Sequence, residues 1–329
     1  MSSLQDSEKH LGSRHREPPR ESQFSSISPE GDEMSITEFP LPRPNSGPHD
    51  IMTGPDGRLW FCEFNGDRIG RIDPNSGAIE EFPLPHRNSG PRIMTLGPDG
   101  NIWFTENLGN RIGRISPDGK TIAEFNIPTR DSRPRGIKVG SDGNIWFAES
   151  NSNRIGRITP TGQITEFALP HPQSNPRGIA AGPDGNMWFV EGHGNRVGRI
   201  TMQGAITEFD LPNPNSAPAD ITAGPDGNMW FTELAGNRIG RIALDGRIEE
   251  FRLPKPGSQP ILIKVGPDQN LWFGELREGR IGRITLAGAI TEFDIPSAGS
   301  QPRGIAAGPD GNIWFSDQRG NRIGRLVLK

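Results

Sequence analysis

Seven W-F-x-[ED] phrases in this chain each end on a carboxylate: Glu63, Glu106, Glu149, Glu191, Glu233, Glu275 and Asp317. Upstream of each, a residue following a proline stands at the matching position: His49, Arg92, Arg135, Arg177, Ala219, Ile261 and Arg303. Carboxylates are hard oxygen ligands for a divalent cation. Arginines bind anions through a fixed fork of donors. A histidine titrating near neutrality suits general-base work. The remaining histidines are weaker candidates, because none makes H-x-x-x-H or H-E-x-x-H spacing and no G-x-S-x-G elbow occurs.

These residues are carried on a repeat. All seven tryptophans (Trp60, Trp103, Trp146, Trp188, Trp230, Trp272 and Trp314) recur at intervals of 42 or 43 residues. Each repeat reads P-x-x-I-x-x-G-P-D-G-N-[IML]-W-F-x-E, then G-N-R-I-G-R-I, then G-x-I-x-E-F-x-[LI]-P. That period fits four short strands and is too long for a leucine-rich repeat. The density of Gly and Pro argues against helical repeats of similar length. The sequence therefore predicts an all-β, seven-bladed β-propeller of four-stranded blades.

In the last repeat, strand a is read as Arg303 to Gly308, strand b as Asn312 to Asp317 and strand c as Asn321 to Leu326, with a turn at Pro309-Asp310-Gly311. Strand b is apolar on both faces, as a strand packed between two neighbours must be, so the tryptophans are core residues between blades. The last repeat ends without a strand d, while Ile36-Thr37-Glu38-Phe39 stands alone before the first repeat. The N-terminal strand is expected to complete the last blade and close the ring.

With each hairpin centred on its turn aspartate, Arg303 falls opposite Asp317, Arg92 opposite Glu106, Arg135 opposite Glu149 and Arg177 opposite Glu191. His49 falls opposite Glu63. Such cross-strand ion pairs contribute only about 0.2–1 kcal/mol each. On this register blades two, three, four and seven neutralise themselves, and a site has room in blades one, five and six. Glu233 and Glu275 face Ala219 and Ile261 instead of a base. They could share a divalent cation, with Asp220 as a third carboxylate, or simply hydrogen-bond backbone amides and water.

Composition narrows the partners. A formal charge of −4 exerts no pull toward nucleic acid or acidic membranes. No stretch of about 18 apolar residues could span a bilayer. Residues 1–34, rich in Ser, Glu, Arg and Pro, read as a disordered polar tail without a signal peptide's apolar segment. Residues 35–329 form the propeller, and a cytoplasmic monomer is the default expectation. The single cysteine, Cys62, occupies a position held elsewhere by Thr, Ala, Val, Gly or Ser, and reads as a small strand residue.

The phrases G-P-D-G-N-I-W-F-T-E-N, G-N-R-I-G-R-I and I-T-E-F-x-[LI]-P closely resemble the streptogramin B (virginiamycin B) lyase family over residues 36–329. More distantly, the chain is similar to NHL-type and gluconolactonase-like propellers. The resemblance implies a magnesium-dependent lyase that linearises streptogramin B antibiotics by elimination at their ester linkage. A metal polarises the ester while a histidine removes the α-proton. In that family a histidine follows the strand-a proline in each of the last two blades, and glutamates precede the final one and end its strand b.

Here those strand-a positions hold Ile261 and Arg303, the preceding glutamate is replaced by Gln301, and Asp317 and Gln318 stand near the end of strand b. The Pro-His phrase survives as Pro48-His49 in blade one. Two functions remain open. One is a lyase with a displaced site, His49 as base and Glu63, Glu233, Glu275 or Asp317 holding Mg²⁺, with Ca²⁺ also compatible. The other is a non-catalytic propeller that binds a small anionic ligand or a protein at a rim bearing Arg92, Arg135, Arg177 and Arg303. In either case the ligand, a small molecule or cyclic peptide, meets the channel mouth.

Overall fold

A computed structural model describes residues 35–328; the expected N-terminal tail lies outside the described residues. The strands are numbered β1 to β28 in chain order and pair into seven antiparallel four-stranded sheets. Blade one comprises β2 (Pro48–Thr53), β3 (Leu59–Glu63), β4 (Arg68–Ile72) and β5 (Ile79–Pro83), and the next five blades repeat that order. The seventh sheet runs β1 (Ile36–Pro40), β28 (Arg322–Leu326), β27 (Ile313–Asp317), β26 (Pro302–Ala307). The ring is thus closed by the N-terminal strand, with Ile36 opposite Leu326 and Phe39 opposite Ile323. Among the described residues there is no helix long and apolar enough to cross a membrane.

The repeated phrases account for the blade. At the first hairpin the turn aspartate works twice. Oδ1 of Asp310 accepts the backbone N–H of Asn312 at 3.2 Å and the indole N–H of Trp314 at 3.0 Å. The other six blades repeat the bond between turn aspartate and indole, which satisfies the one polar atom of an otherwise buried tryptophan. Each tryptophan stacks on the strand-d phenylalanine, as Trp60 does on Phe82 with centroids 5.5 Å apart. The second arginine of R-I-G-R covers that stack: the Arg71 guanidinium lies 5.3 Å from both ring centroids. The glycine of the same phrase is required by space. A Cβ on Gly70 would sit 2.2 Å from the Phe61 ring.

In blade seven the phenylalanine of the stack is Phe39, which lies 5.5 Å from Trp314. The core consists of seven clusters, each between adjacent blades. One joins Leu41, Ile51, Leu59, Phe61 and Ile72 to Ala306, Trp314 and Ile323 across the seam. The tryptophans are core residues between blades, as their phrase predicts.

Candidate functional site: an arginine-ringed channel mouth

The hairpin between strands a and b does not keep the register that its turn implies. Ile305 faces Phe315 and Ala307 faces Ile313, but beyond a bulge it is Pro302, not Arg303, that lies opposite Asp317. All seven blades share this shift. A bulge sets two residues of one strand against one of its partner, which re-aims the side chains that follow. The expected pairs Arg92–Glu106, Arg135–Glu149, Arg177–Glu191, Arg303–Asp317 and His49–Glu63 therefore do not form. A proline faces each acid, and the residue after it turns into the channel.

The acids lie elsewhere. Glu63, Glu106, Glu149, Glu191, Glu233, Glu275 and Asp317 are all completely buried inside their blades. Most are met by the first arginine of R-I-G-R: Arg68 lies 3.0 Å from Glu63, Arg238 3.3 Å from Glu233, Arg280 3.0 Å from Glu275 and Arg322 3.1 Å from Asp317. In blade three the Ser152 hydroxyl donates to Glu149 at 2.7 Å. Glu233 and Glu275 thus have basic partners, supplied by strand c instead of strand a. The proposed ligand set Glu63, Glu233, Glu275 and Asp317 is divided among four blades and consumed by local pairs. Among the described residues no three His, Cys, Asp or Glu side chains converge as a metal cage would require.

What converges on the channel is the residue after each proline. A cavity of about 230 Å³ at one mouth is lined by His49, Arg92, Arg135, Arg177, Ala219, Ile261 and Arg303, one from each blade. Their backbones are held by the neighbouring blade. The Ser316 hydroxyl donates to the His49 carbonyl at 2.6 Å, Thr105 to the Arg135 carbonyl at 2.8 Å, and Thr232 to the Ile261 carbonyl at 2.6 Å. Cys62 holds the same position as these hydroxyl residues in blade one. Burial raises its thiol pKa well above the usual range, which makes it an inert packing residue.

Among the described residues none of the four mouth arginines has an acidic partner. Arg177 Nε donates to Asn175 at 2.8 Å, Arg303 Nε donates to Gln318, and Arg135 Nε is buried without a partner. Arg92 lies with its guanidinium 5.8 Å from the Phe64 ring centroid. Burial, then mutual repulsion, pushes Arg135 down to about 10 and Arg92 well below the usual range; burial also lowers Arg177 and Arg303. His49 is buried with both ring nitrogens unpartnered. Burial first, then Arg92, Arg303 and Arg135, hold its pKa well below 6.5, so at neutral pH it is an uncharged imidazole.

One residue deeper the channel narrows to a cavity of about 30 Å³ touched by Asp50, Asp220, Lys138 and Lys264. Asp50 accepts the Met94 amide at 3.0 Å; Asp220 accepts the Ile263 amide at 3.1 Å and the Lys264 ammonium at 2.9 Å. Burial raises the Asp50 carboxyl to about 6. Of these four, only Asp220 is among the candidates that the sequence puts forward; Asp50, Lys138 and Lys264 are not. Their signal was available: these are the positions where strands a depart from the repeat.

A divalent cation does not fit this mouth. The donors facing the cavity are four guanidinium groups and an imidazole, and Asp220, the one acid lining it, is already paired with Lys264. Unpaired guanidinium groups attract anions and repel cations.

The profile of the Virginiamycin B lyase family matches residues 20–191 and 138–329. A solved streptogramin B lyase superposes with a TM-score of 0.86 at 40% identity, covering 90% of this chain and 98% of that one. The virginiamycin B lyase of Staphylococcus aureus, in a catalytically inactive histidine-to-alanine variant with quinupristin, gives 0.86 at 41% identity over 90% of this chain and 100% of its own. Curated virginiamycin B lyases match over single repeats. That of Bacillus licheniformis is 44% identical over 40 residues, so the match spans 12% of this chain and 14% of the relative. That of Bordetella parapertussis is 40% identical over 47 residues, 14% of this chain and 15% of the relative.

Proposed function

The chain belongs to the Virginiamycin B lyase family, and from that premise we propose that its channel mouth binds a small organic anion. The observation that carries this reading is four half-buried arginines on one cavity whose single lining carboxylate, Asp220, is taken by Lys264. Desolvated, unpaired guanidinium groups repel one another, and an incoming anion relieves that repulsion while making charge-assisted hydrogen bonds. The cavity, about 230 Å³, lies below the roughly 300–1,000 Å³ of sites that engulf drug-sized ligands. It suits a compact ligand or one projecting group of a larger molecule. The test is calorimetry at low salt with acetate, sulfate and phosphate on the wild type and on Arg135→Met/Arg177→Met. Binding that the double variant loses supports the reading; a wild type that takes up no anion refutes it.

A second reading keeps the elimination chemistry and is favoured by His49. A neutral imidazole with both nitrogens free is in the protonation state of a general base. It would take the proton α to an ester-bearing carbon. The electron pair then forms the new C=C bond as the C–O bond breaks, and the departing carboxylate is received by the arginines. The acid set required for Mg²⁺ is sequestered in the blades, so no step of this reading passes through a metal. Chromatography of quinupristin incubated with the protein tests it. Linearisation that persists in chelator and vanishes in His49→Ala supports it; an intact macrocycle removes it. Either reading is compatible with a cytoplasmic monomer, which fractionation and sedimentation would check.

A further inference from the structure

The seven residues that line the mouth are not mixed around the ring. Blades seven, one, two, three and four, which are consecutive across the seam, contribute Arg303, His49, Arg92, Arg135 and Arg177. Blades five and six, also consecutive, contribute Ala219 and Ile261. With the exception of Phe64 in blade one, the same division appears at the residue that follows each strand-b acid. Blades five and six present Leu234 and Leu276 to the cavity, whereas blades two, three, four and seven carry Asn107, Ser150, Gly192 and Gln318 there. Leu262 extends the apolar side downward. An arc of guanidinium groups thus faces a contiguous aliphatic wall across one small cavity.

Resting on the reading of the mouth as an anion site, we infer that its ligand is amphipathic: a small carboxylate bearing a compact aliphatic or aromatic tail. The carboxylate meets Arg92, Arg135, Arg177 and Arg303, and the tail lies against Ala219, Leu234, Ile261 and Leu276. Neither half of the site explains the other. A bare inorganic anion would leave the aliphatic wall wetted, and a neutral apolar ligand would leave the guanidinium groups desolvated and unpaired. Each methylene taken from water contributes about a fourfold gain in affinity. A cavity of about 230 Å³ has room for several.

The experiment is a low-salt calorimetric or NMR titration of the full chain with acetate, hexanoate, phenylacetate and neutral hexanol. Hexanoate and phenylacetate are expected to bind at least tenfold more tightly than acetate, and hexanol at least tenfold more weakly than hexanoate. Ile261→Asn, and independently Leu234→Asn, should bring the hexanoate-to-acetate ratio toward one through loss of hexanoate affinity. Two separate positions, each checked for an unchanged melting profile, keep the test valid if one variant misfolds. Equal affinity for acetate and hexanoate overturns the amphipathic ligand and leaves the anion site standing. No binding of any carboxylate overturns the anion site itself. Hexanol matching hexanoate overturns both.

Discussion

The three outer strands and the innermost strand of each blade obey different rules. In the outer layer the seven blades are near copies. The turn aspartate holds the tryptophan, the tryptophan stacks on the phenylalanine, an arginine covers both, and a second arginine serves the buried acid. Along the inner strand the blades share their proline and their isoleucine or methionine, but the positions that face the channel differ: His or Arg or Ala or Ile, then Asp or Gly or Ile or Leu. Regularity marks the parts that every blade needs to pack against its neighbours. Irregularity marks the parts that the channel alone needs. The two layers should accordingly separate when perturbed, the outer in stability and the inner in binding.

The most severe break is at the seam. The ring is closed by five residues, Ile36–Pro40, which supply the outer strand of blade seven, the Phe39 partner of Trp314 and the Glu38 carboxylate 3.5 Å from Arg322. Phe39 is half-buried, so its loss costs up to about 3 kcal/mol, and the lost strand pairing adds to that. A chain starting at Leu41 is expected to melt more than about 10 °C below one starting at Met34, at roughly 2–4 °C per kcal/mol for a domain of this size. Scanning fluorimetry decides, and equal midpoints would mean that closure contributes nothing.

Next in size is a contrast between two arginine substitutions. Arg280 is nearly fully buried against Glu275, so Arg280→Met strands a buried carboxylate, at a cost of about 3–5 kcal/mol. Arg135, with no acid partner and its pKa pushed down to about 10, is held against the repulsion of its neighbours. Arg135→Met should leave the melting temperature unchanged or raised by about 1–3 °C, while weakening anion binding. If both variants melt alike, the distinction between a structural and a functional arginine ring is wrong.

The outer layer also carries a titration. Burial, then like charge from the strand-d glutamate, raises Glu106 from 4.5 to about 7; burial likewise raises Glu149, Glu191 and Glu233 to about 7. A carboxyl whose folded pKa exceeds its unfolded one binds its proton more tightly when folded. Its stabilisation is full below pH 4.5 and is lost as pH rises through about 7. The melting temperature should therefore decline between pH 5 and 8, and Glu106→Gln should flatten part of that decline. A midpoint that rises over this interval would contradict the buried-acid assignment.

How much of this was legible in the sequence follows the same division. Blade number, strand order, the interblade tryptophans and the closing strand Ile36–Phe39 were readable, because each rests on a local phrase repeated seven times. Pairing at the strand ends was not. The turn centred on Asp310 sets the register only as far as Ile305, and the bulge beyond it depends on how inner strands pack around the channel, which no local phrase records. That single slip reversed the electrostatics of the site. The strand-a arginines are the ones without acidic partners, and most strand-b acids are neutralised by the first arginine of R-I-G-R. The positions themselves were still visible, since His49, Arg92, Arg135, Arg177 and Arg303 stand out as departures within the repeat.

The smallest effect expected sharpens the comparison most, because it separates His49 from the arginines around it. A histidine whose folded pKa lies well below 6.5 contributes stability above that value and loses it as pH falls, since the unfolded chain takes up the proton first. Between pH 7 and 8 it is neutral in both states, so His49→Gln should shift the melting temperature by less than about 2 °C there and enlarge the net gain in stability on acidification below pH 6. The imidazole carries no charge in this range, so anion affinity should likewise stay flat from pH 7 to 8 in the wild type. Affinity that rises severalfold as pH falls from 8 to 7 would mean that His49 is an imidazolium belonging to the cationic arc. That result would remove the free base on which the elimination reading depends, and it would leave the binding reading stronger.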